Sequence, residues 1–352
     1  MQRSLLVFQS SLKSEVTIKQ YTWYLNKFIG FYKLRDFDSI CKIEHQKLQI
    51  MIEDYIMDLR KRYSPNSIPM FFYPLQSFFE ANDVDLKWKK IKRLFPQKVK
   101  LSGDEAYSDE DVKKMLDYAI TIRNKALIHF LASSGVRIGS IQDLKLKHLG
   151  EMPLGCKSIL VYEDSIEEYT TFLTPEASKV LDEYLQVRKN DREYISPDSP
   201  VFRTKYRMGI EKPKPMSDKS IQGVIWRCVI HSNVERTKKG IRYSKQQDHA
   251  FRKRFKTALQ LNSDVNPSII EKLMGHKKGL DGIYFKPTKE QLFKEFSKGI
   301  VDLTLDKTEK LKLENEKKQK KIKELESDKY RINNLENIVS ELAKRLDSKI
   351  NS

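Results

Sequence analysis

Cysteine is scarce in this 352-residue chain, and its three copies, Cys41, Cys156 and Cys228, lie far apart. An odd number without any Cys-x-x-Cys argues against a disulfide framework or a thiolate zinc site and fits a reducing compartment. The six histidines form no zincin-like pair. No apolar run approaches the ~20 residues of a membrane helix, and the Leu5–Phe8 run is too short for a signal-peptide core. A soluble, cytoplasmic protein is therefore expected. Phosphate-cradling glycine loops of the P-loop or dinucleotide-binding kind are missing, as is any internal repeat. Acidic residues are in deficit too: 48 Asp and Glu face 66 Lys and Arg, leaving a net charge of +18. That excess attracts polyanions with salt-dependent affinity. Because the basic residues are spread along the chain rather than gathered beside an apolar segment, nucleic acid is expected over an anionic membrane.

Against these absences, apolar periodicity is plentiful. Residues 1 to about 85 read as three or four amphipathic helices: Tyr21, Leu25, Phe28, Ile29 and Tyr32 recur at helical spacing, then Leu48, Ile52, Tyr55, Ile56 and Leu59. Phe71, Phe72, Leu75, Phe78 and Phe79 follow the Ser64–Ser67 turn, and most of these aromatics are expected in a core. Lys87 to Lys100 is a basic connector. Ser108-Asp-Glu-Asp111 is a helix N-terminal signal, a cap followed by acids that complement the dipole. Ser158–Tyr162 and Tyr169–Leu173 are β-rich around a polar turn, so a hairpin or small sheet edge is expected there. Further helices are read from Thr174 to about Lys189, Asp218 to Ser232, Asp248 to Leu261, near Ile269 to Met274, and Lys289 to Ile300. Beyond that, Leu325, Ile332, Val339 and Leu346 recur every seventh residue with Leu335 and Leu342 between them, a coiled-coil signal whose alternative is a single helix packed back on its own domain.

Chemistry concentrates between Asp248 and Pro287. His249-Ala-Phe-Arg252 is followed by Leu273-Met-Gly275-His276 and, eight residues on, by Tyr284. Upstream, an apolar helix over Ala126–Leu131 runs into Ser133-Ser-Gly-Val-Arg137. A phenol with a pKa of roughly 10 is a poor nucleophile until cations and a proton acceptor surround the phosphate it attacks. Arg137, His249-x-x-Arg252, Gly275-His276 and Tyr284, in this order, resemble the tyrosine recombinase (phage-type integrase) family, with a flavour of archaeal and archaeal-virus integrases. The motifs span roughly residues 105 to 290.

The resemblance implies a mainly α fold with a small antiparallel sheet. Its domains would be a helical DNA-clasping domain (1–86), a basic linker (87–104), a catalytic domain (105–300) and a charged, coiled-coil-like helix (301–352). It implies a site-specific recombinase of a mobile element that cleaves and rejoins DNA through a 3′-phosphotyrosyl intermediate, without cofactor, metal or ATP. Partners would be double-stranded DNA and further copies, as a tetramer on two duplexes, with the segment after the nucleophile packed in a neighbouring copy. In this reading Arg137 and Arg252 hold the nonbridging oxygens, His249 is the general base, His276 donates to the phosphate and Tyr284 is the nucleophile. His249 and Arg252 share a helix face, since residues three apart are neighbours. One departure stands out: the family's hairpin-turn lysine, which protonates the leaving 5′-oxygen, is absent from Glu163–Glu168, with Lys157 and Lys205 as alternatives. Two other functions fit the same motifs, a type IB topoisomerase and a catalytically retired DNA-binding regulator.

Overall fold

The computed structural model describes residues 2–99, 105–205, 213–239, 242–277 and 284–350. The chain divides into two compact units, Met1–Leu101 and Ser102–Ser352.

The first unit is helical: α1 (Arg3–Ser11), α2 (Glu15–Tyr32), α3 (Phe37–Ile40), α4 (His45–Arg62), α5 (Ile68–Ala81) and α6 (Trp88–Lys92). This is more helices than the three or four the periodicity predicts, because α1, α3 and α6 are short. Ser14 caps α2 by accepting from the Thr17 amide. Phe8, Phe28, Ile52, Phe72, Phe78 and Phe79 are fully buried in a single core. Burying such side chains is worth ~1.5–3 kcal/mol each, which is why the aromatics are spent here and not on a stacking surface. Trp88 and Ile91 are buried in the same core. The segment read as a basic connector from residue 87 thus begins as part of the first unit: its apolar residues point inward and its lysines outward.

The second unit is built around α8 (Ile122–Ser134), every residue of which is buried from Ala126 onward. A helix without a polar face belongs inside, and α8 packs on α7 (Asp109–Tyr118), α10 (Pro175–Asn190), α12 (His249–Leu261) and a strand. Ser108 and Asp111 form the expected capping box on α7. Between α8 and α10 lie α9 (Ile138–Ile141) and an antiparallel sheet of β1 (Leu149–Glu151), β2 (Lys157–Val161) and β3 (Tyr169–Leu173), in that order. The register sets Val161 opposite Tyr169 and Lys157 opposite Leu173. Alternation along β3 splits its side chains: Leu173 joins the main core, whereas Phe172 joins a second one. A short pair, β4 (Lys238–Lys239) and β5 (Arg242–Tyr243), and α11 (Asp218–His231) precede α12.

The second core explains the C-terminal part. Phe172, Phe255 of α12, and Ile269, Ile270 and Leu273 of α13 (Pro267–Leu273) meet Leu292, Phe293 and Phe296 of α14 (Lys289–Lys298), with Ile300 and Leu303 of α15 (Ile300–Leu303). The segment after Tyr284, expected to pack in a neighbouring copy, therefore folds onto its own unit, because its apolar stripe is covered by α12 and α13. The final helix, α16 (Lys307–Ile350), is rooted where the Glu176 carboxylate accepts from the Leu305 and Asp306 amides at 2.8 and 3.0 Å. Leu313 still touches the second core, but Leu325, Ile332, Leu335 and Val339 are exposed. Lys317, one turn beyond Leu313, places its ammonium 3.8 Å from Asp264 Oδ2. The heptad positions Leu342 and Leu346 lie outside the described side chains. Among the described residues, no helix is long and apolar enough to cross a membrane.

Candidate active site

Two glycines shape the site. Gly135 ends α8 in the left-handed region (φ 59°), where its amide donates to the Leu131 carbonyl. A Cβ there would sit 2.6 Å from the Phe255 ring, so only glycine lets α12 approach. Ser133 and Ser134 bind this corner to the sheet: the Thr174 amide donates to Ser133 Oγ at 2.7 Å, and Thr171 Oγ1 donates to the Ser134 carbonyl at 3.1 Å. The turn therefore delivers Arg137, two residues on, at a fixed place. Gly275 (φ 65°) closes α13 in a Schellman turn, with the Gly275 amide donating to Lys272 O and the His276 amide to Glu271 O, both at 2.9 Å. Here a Cβ would lie 2.5 Å from Tyr169 Cδ1.

Arg252 lies between these two turns. Its Nη1 donates to Gly135 O at 2.5 Å, and its Nη2 to Met274 O at 3.1 Å and to His276 Nε2 at 3.0 Å. Three of the five N–H donors of a guanidinium are thus used to fix its plane. Burial, opposed by Tyr169 and reinforced by the charge of Arg137, lowers the Arg252 pKa. His276 Nδ1 meets Glu271 Oε2 at 2.6 Å. With Nε2 accepting from Arg252, the neutral ring carries its proton on Nδ1 and donates it to Glu271. Burial, with Glu271 opposing and Arg252 and Arg137 adding to it, lowers the His276 pKa and favours this neutral form. In this arrangement the His276 Nε2 faces Arg252 and its Nδ1 faces Glu271.

Charge balance singles Arg252 out. Among the described residues four arginines are buried, Arg188, Arg203, Arg252 and Arg254. Arg188 and Arg203 share Glu193, and Arg254 pairs with Asp109. Among the described residues Arg252 has no carboxylate partner, nor does half-buried Arg137, whose charge acts on Arg252, His276, Tyr162 and Tyr169. A buried cation without a counter-ion is costly. Arg137 adds a second positive charge that acts on the same group of residues.

Of the five residues singled out from the sequence, the structure joins Arg252 and His276 by a hydrogen bond and sets Arg137 within their electrostatic reach. His249 is exposed on the first turn of α12, and Tyr284 is 79 % exposed; neither bonds to the other three among the described residues. Lys157 is buried, and its ammonium pairs with Glu151 Oε1 at 2.5 Å and Asp182 Oδ1 at 3.2 Å. Lys205 is exposed. In the hairpin turn, Glu163 accepts from Lys147 at 2.5 Å and His148 at 3.1 Å.

Several participants were missed by the sequence reading. Tyr169 lies against Gly275, and its hydroxyl is buried near Arg252 without a well-aligned hydrogen bond among the described residues. Burial, offset by Arg252 and Arg137, raises its pKa. A cleft of about 380 Å³ beside it is lined by Glu168, Tyr169, Lys272, Gly275, His276, Lys277 and Lys286. Glu271 had one available signal, its place one helical turn before the Gly-His pair.

Comparison with known proteins agrees with this geometry. Residues 106–282, half of the chain, match the phage integrase family model. Tyrosine recombinase XerA of Pyrococcus horikoshii is 24% identical over 301 residues, covering 83% of this chain and 90% of its own. Tyrosine recombinase XerC of Lactobacillus leichmannii is 28% identical over 159 residues, 45% of this chain and 48% of the relative. Among solved structures, XerH site-specific recombinase bound to difH substrate superposes with a TM-score of 0.55 at 18% identity, covering 75% of this chain and 74% of that one. A lambda integrase dimer bound to a COC′ core site gives 0.54 at 13% identity, covering 82% and 96%. The mainly helical fold with one small antiparallel sheet is thus a shared one, and the chain belongs to the phage integrase family.

Proposed function

We propose that this chain is a site-specific DNA recombinase that acts on duplex DNA together with further copies of itself. Tyr284 Oη attacks a backbone phosphorus, and the bond to the 5′-oxygen breaks. The departing 5′-hydroxyl takes up a proton, and a 3′-phosphotyrosyl link remains. Attack on that link by the hydroxyl of another strand reverses the chemistry and joins exchanged strands. Each step trades one phosphate ester for another, so no nucleotide is consumed.

The observation that carries this reading is buried Arg252, which among the described residues has no carboxylate partner while the other buried arginines have one. A phosphate supplies the missing negative charge, and the charge it gains in the transition state is stabilised further by fixed donors in a site shielded from water. Arg137 adds a second cation that remains half-exposed and able to adjust. We assign His276 to positioning: it receives one Arg252 N–H while Glu271 fixes the ring. His249, at the open end of α12, is the proposed base for the Tyr284 phenol. Tyr284 stands exposed where DNA can reach it, and closing on the anion site would be driven by the bound phosphate. Copies on two duplexes would form the tetrameric exchange complex.

A nicked suicide substrate tests the proposal. The wild-type chain should form a denaturation-resistant DNA adduct that maps to Tyr284 and disappears in Tyr284→Phe with DNA binding unchanged. Binding without any adduct would assign the chain to the regulator reading, which the acidic hairpin turn favours. Relaxed circles with no junctions between duplexes would assign it to the topoisomerase reading.

A further inference from the structure

The terminal helix carries an apolar seam that nothing in its own unit covers. Leu325, Ile332, Leu335 and Val339 are each between 54 and 63 % exposed, and Ile338 flanks them. A solvated helix has no use for such a row: its Lys- and Glu-rich surface would be stable without it. With Leu325, Ile332 and Val339 set as the a positions of a heptad, Leu335 falls at d, and the sequence continues the pattern with Leu342 at d and Leu346 at a. In the central heptads, β-branched Ile332 and Val339 at a with Leu335 and Leu342 at d are the combination that favours two parallel strands.

The flanking charges select the partner. Position g of one strand meets position e of the next heptad on the other. Here Glu324 at g faces Lys329 at e, and Arg331 at g faces Glu336 at e. Both pairings are attractive when the second strand is this same sequence, parallel and in register. Asp328, at the intervening d position, opposes its own copy and weakens the pair there. Such an interface is weak for free molecules and becomes effective when copies are already held near one another.

We infer that residues 322–346 of two copies associate as a parallel, in-register, two-stranded coiled coil. This interface is independent of the anion site and of the chemistry proposed for it.

Disulfide trapping of the full-length chain tests it, in a Cys41→Ser background because Cys41 is the one cysteine that is not buried. Leu325→Cys and Leu335→Cys place thiols at a and d, ten residues or ~15 Å apart along the helix. In a parallel pair each cysteine faces its own copy, so both variants should cross-link under mild oxidation. Asn337→Cys, at the outward f position, should not. An antiparallel pair lets at most one of the two self-link, so a single positive overturns the orientation. No cross-link at either site, or equal linking at 337, overturns the interface. Charge reversal gives a second readout by equilibrium sedimentation. Arg331→Glu should weaken self-association about tenfold, since each dimer has two Arg331–Glu336 contacts turned from attractive to repulsive. Adding Glu336→Arg should restore it to within about twofold; failure of that rescue overturns the assigned register.

Discussion

Replacing Gly275 by alanine should damage both stability and chemistry through one added methyl group. Gly275 sits at φ 65°, a conformation that costs an L-residue ~1–2 kcal/mol. The new Cβ would also fall 2.5 Å from Cδ1 and 2.6 Å from Cε1 of Tyr169. Ring and turn would have to separate by about an ångström, and overpacking of this kind costs ~1–3 kcal/mol. Gly275→Ala should therefore lose roughly 2–5 kcal/mol in the second unit. The turn also holds the Met274 carbonyl and the His276 ring that fix Arg252, so covalent adduct formation should fall with it. Urea unfolding followed by hydrogen exchange in peptides from β3 and α13 measures the stability change where it originates. Tyr169→Ala removes the ring, so the double variant should recover the overlap part of the loss and retain only the backbone part, a coupling of ~1–3 kcal/mol. The reasoning fails if Gly275→Ala lies within ~0.5 kcal/mol of wild type, or if the two substitutions simply add.

Two further outcomes are expected. Burial, reinforced by Arg254 and Lys125, pushes the pKa of His129 from 6.5 down to about 4. Below pH 6.5 the unfolded chain takes up the proton first, so stability present at neutral pH is lost as pH falls from 6.5 towards 4, by roughly 3 kcal/mol. His276, also held below its ordinary pKa, acts in the same direction. His129→Gln should flatten the dependence between pH 7 and pH 4.5 without abolishing it, and an unchanged slope in urea titrations would contradict the assignment. Lys157→Met should leave the rate of adduct formation within about threefold of wild type, because the amine is committed to Glu151 and Asp182. A loss of ~100-fold or more at unchanged DNA affinity, the scale of general acid catalysis, would instead make it the proton donor.

What could be read from the sequence follows from the range of the interactions involved. The hairpin Lys157–Val161 and Tyr169–Leu173 was visible because β-branched and aromatic residues cluster on both sides of a polar turn. The caps Ser108 and Thr174 were equally local. Strand β1 was not, since three residues including Gly150 carry no periodicity. Arg252 stood out as part of a motif, yet its lack of a carboxylate partner can be seen only against Arg188, Arg203 and Arg254, whose partners come from folding. Tyr169 was read as a strand residue because its contact, Gly275, lies more than a hundred residues away. For Lys157 the same distance effect applies: the hairpin position is local, and only packing against α10 revealed Asp182 beside it.

The root of the terminal helix has a mechanical consequence. At 44 residues it extends ~66 Å, and at its root the Glu176 carboxylate grips the amides of Leu305 and Asp306 while Leu313 rests on the second core. On a lever that long, each degree of tilt at the pivot sweeps the far tip by about an ångström. Glu176 in turn opens α10, which packs against α8, the helix that ends at the Gly135 carbonyl holding Arg252. The grip on Leu305 and Asp306 is thus joined through α10 and α8 to the carbonyl that fixes Arg252, and a small rotation at the root displaces the tip far more than it displaces that carbonyl.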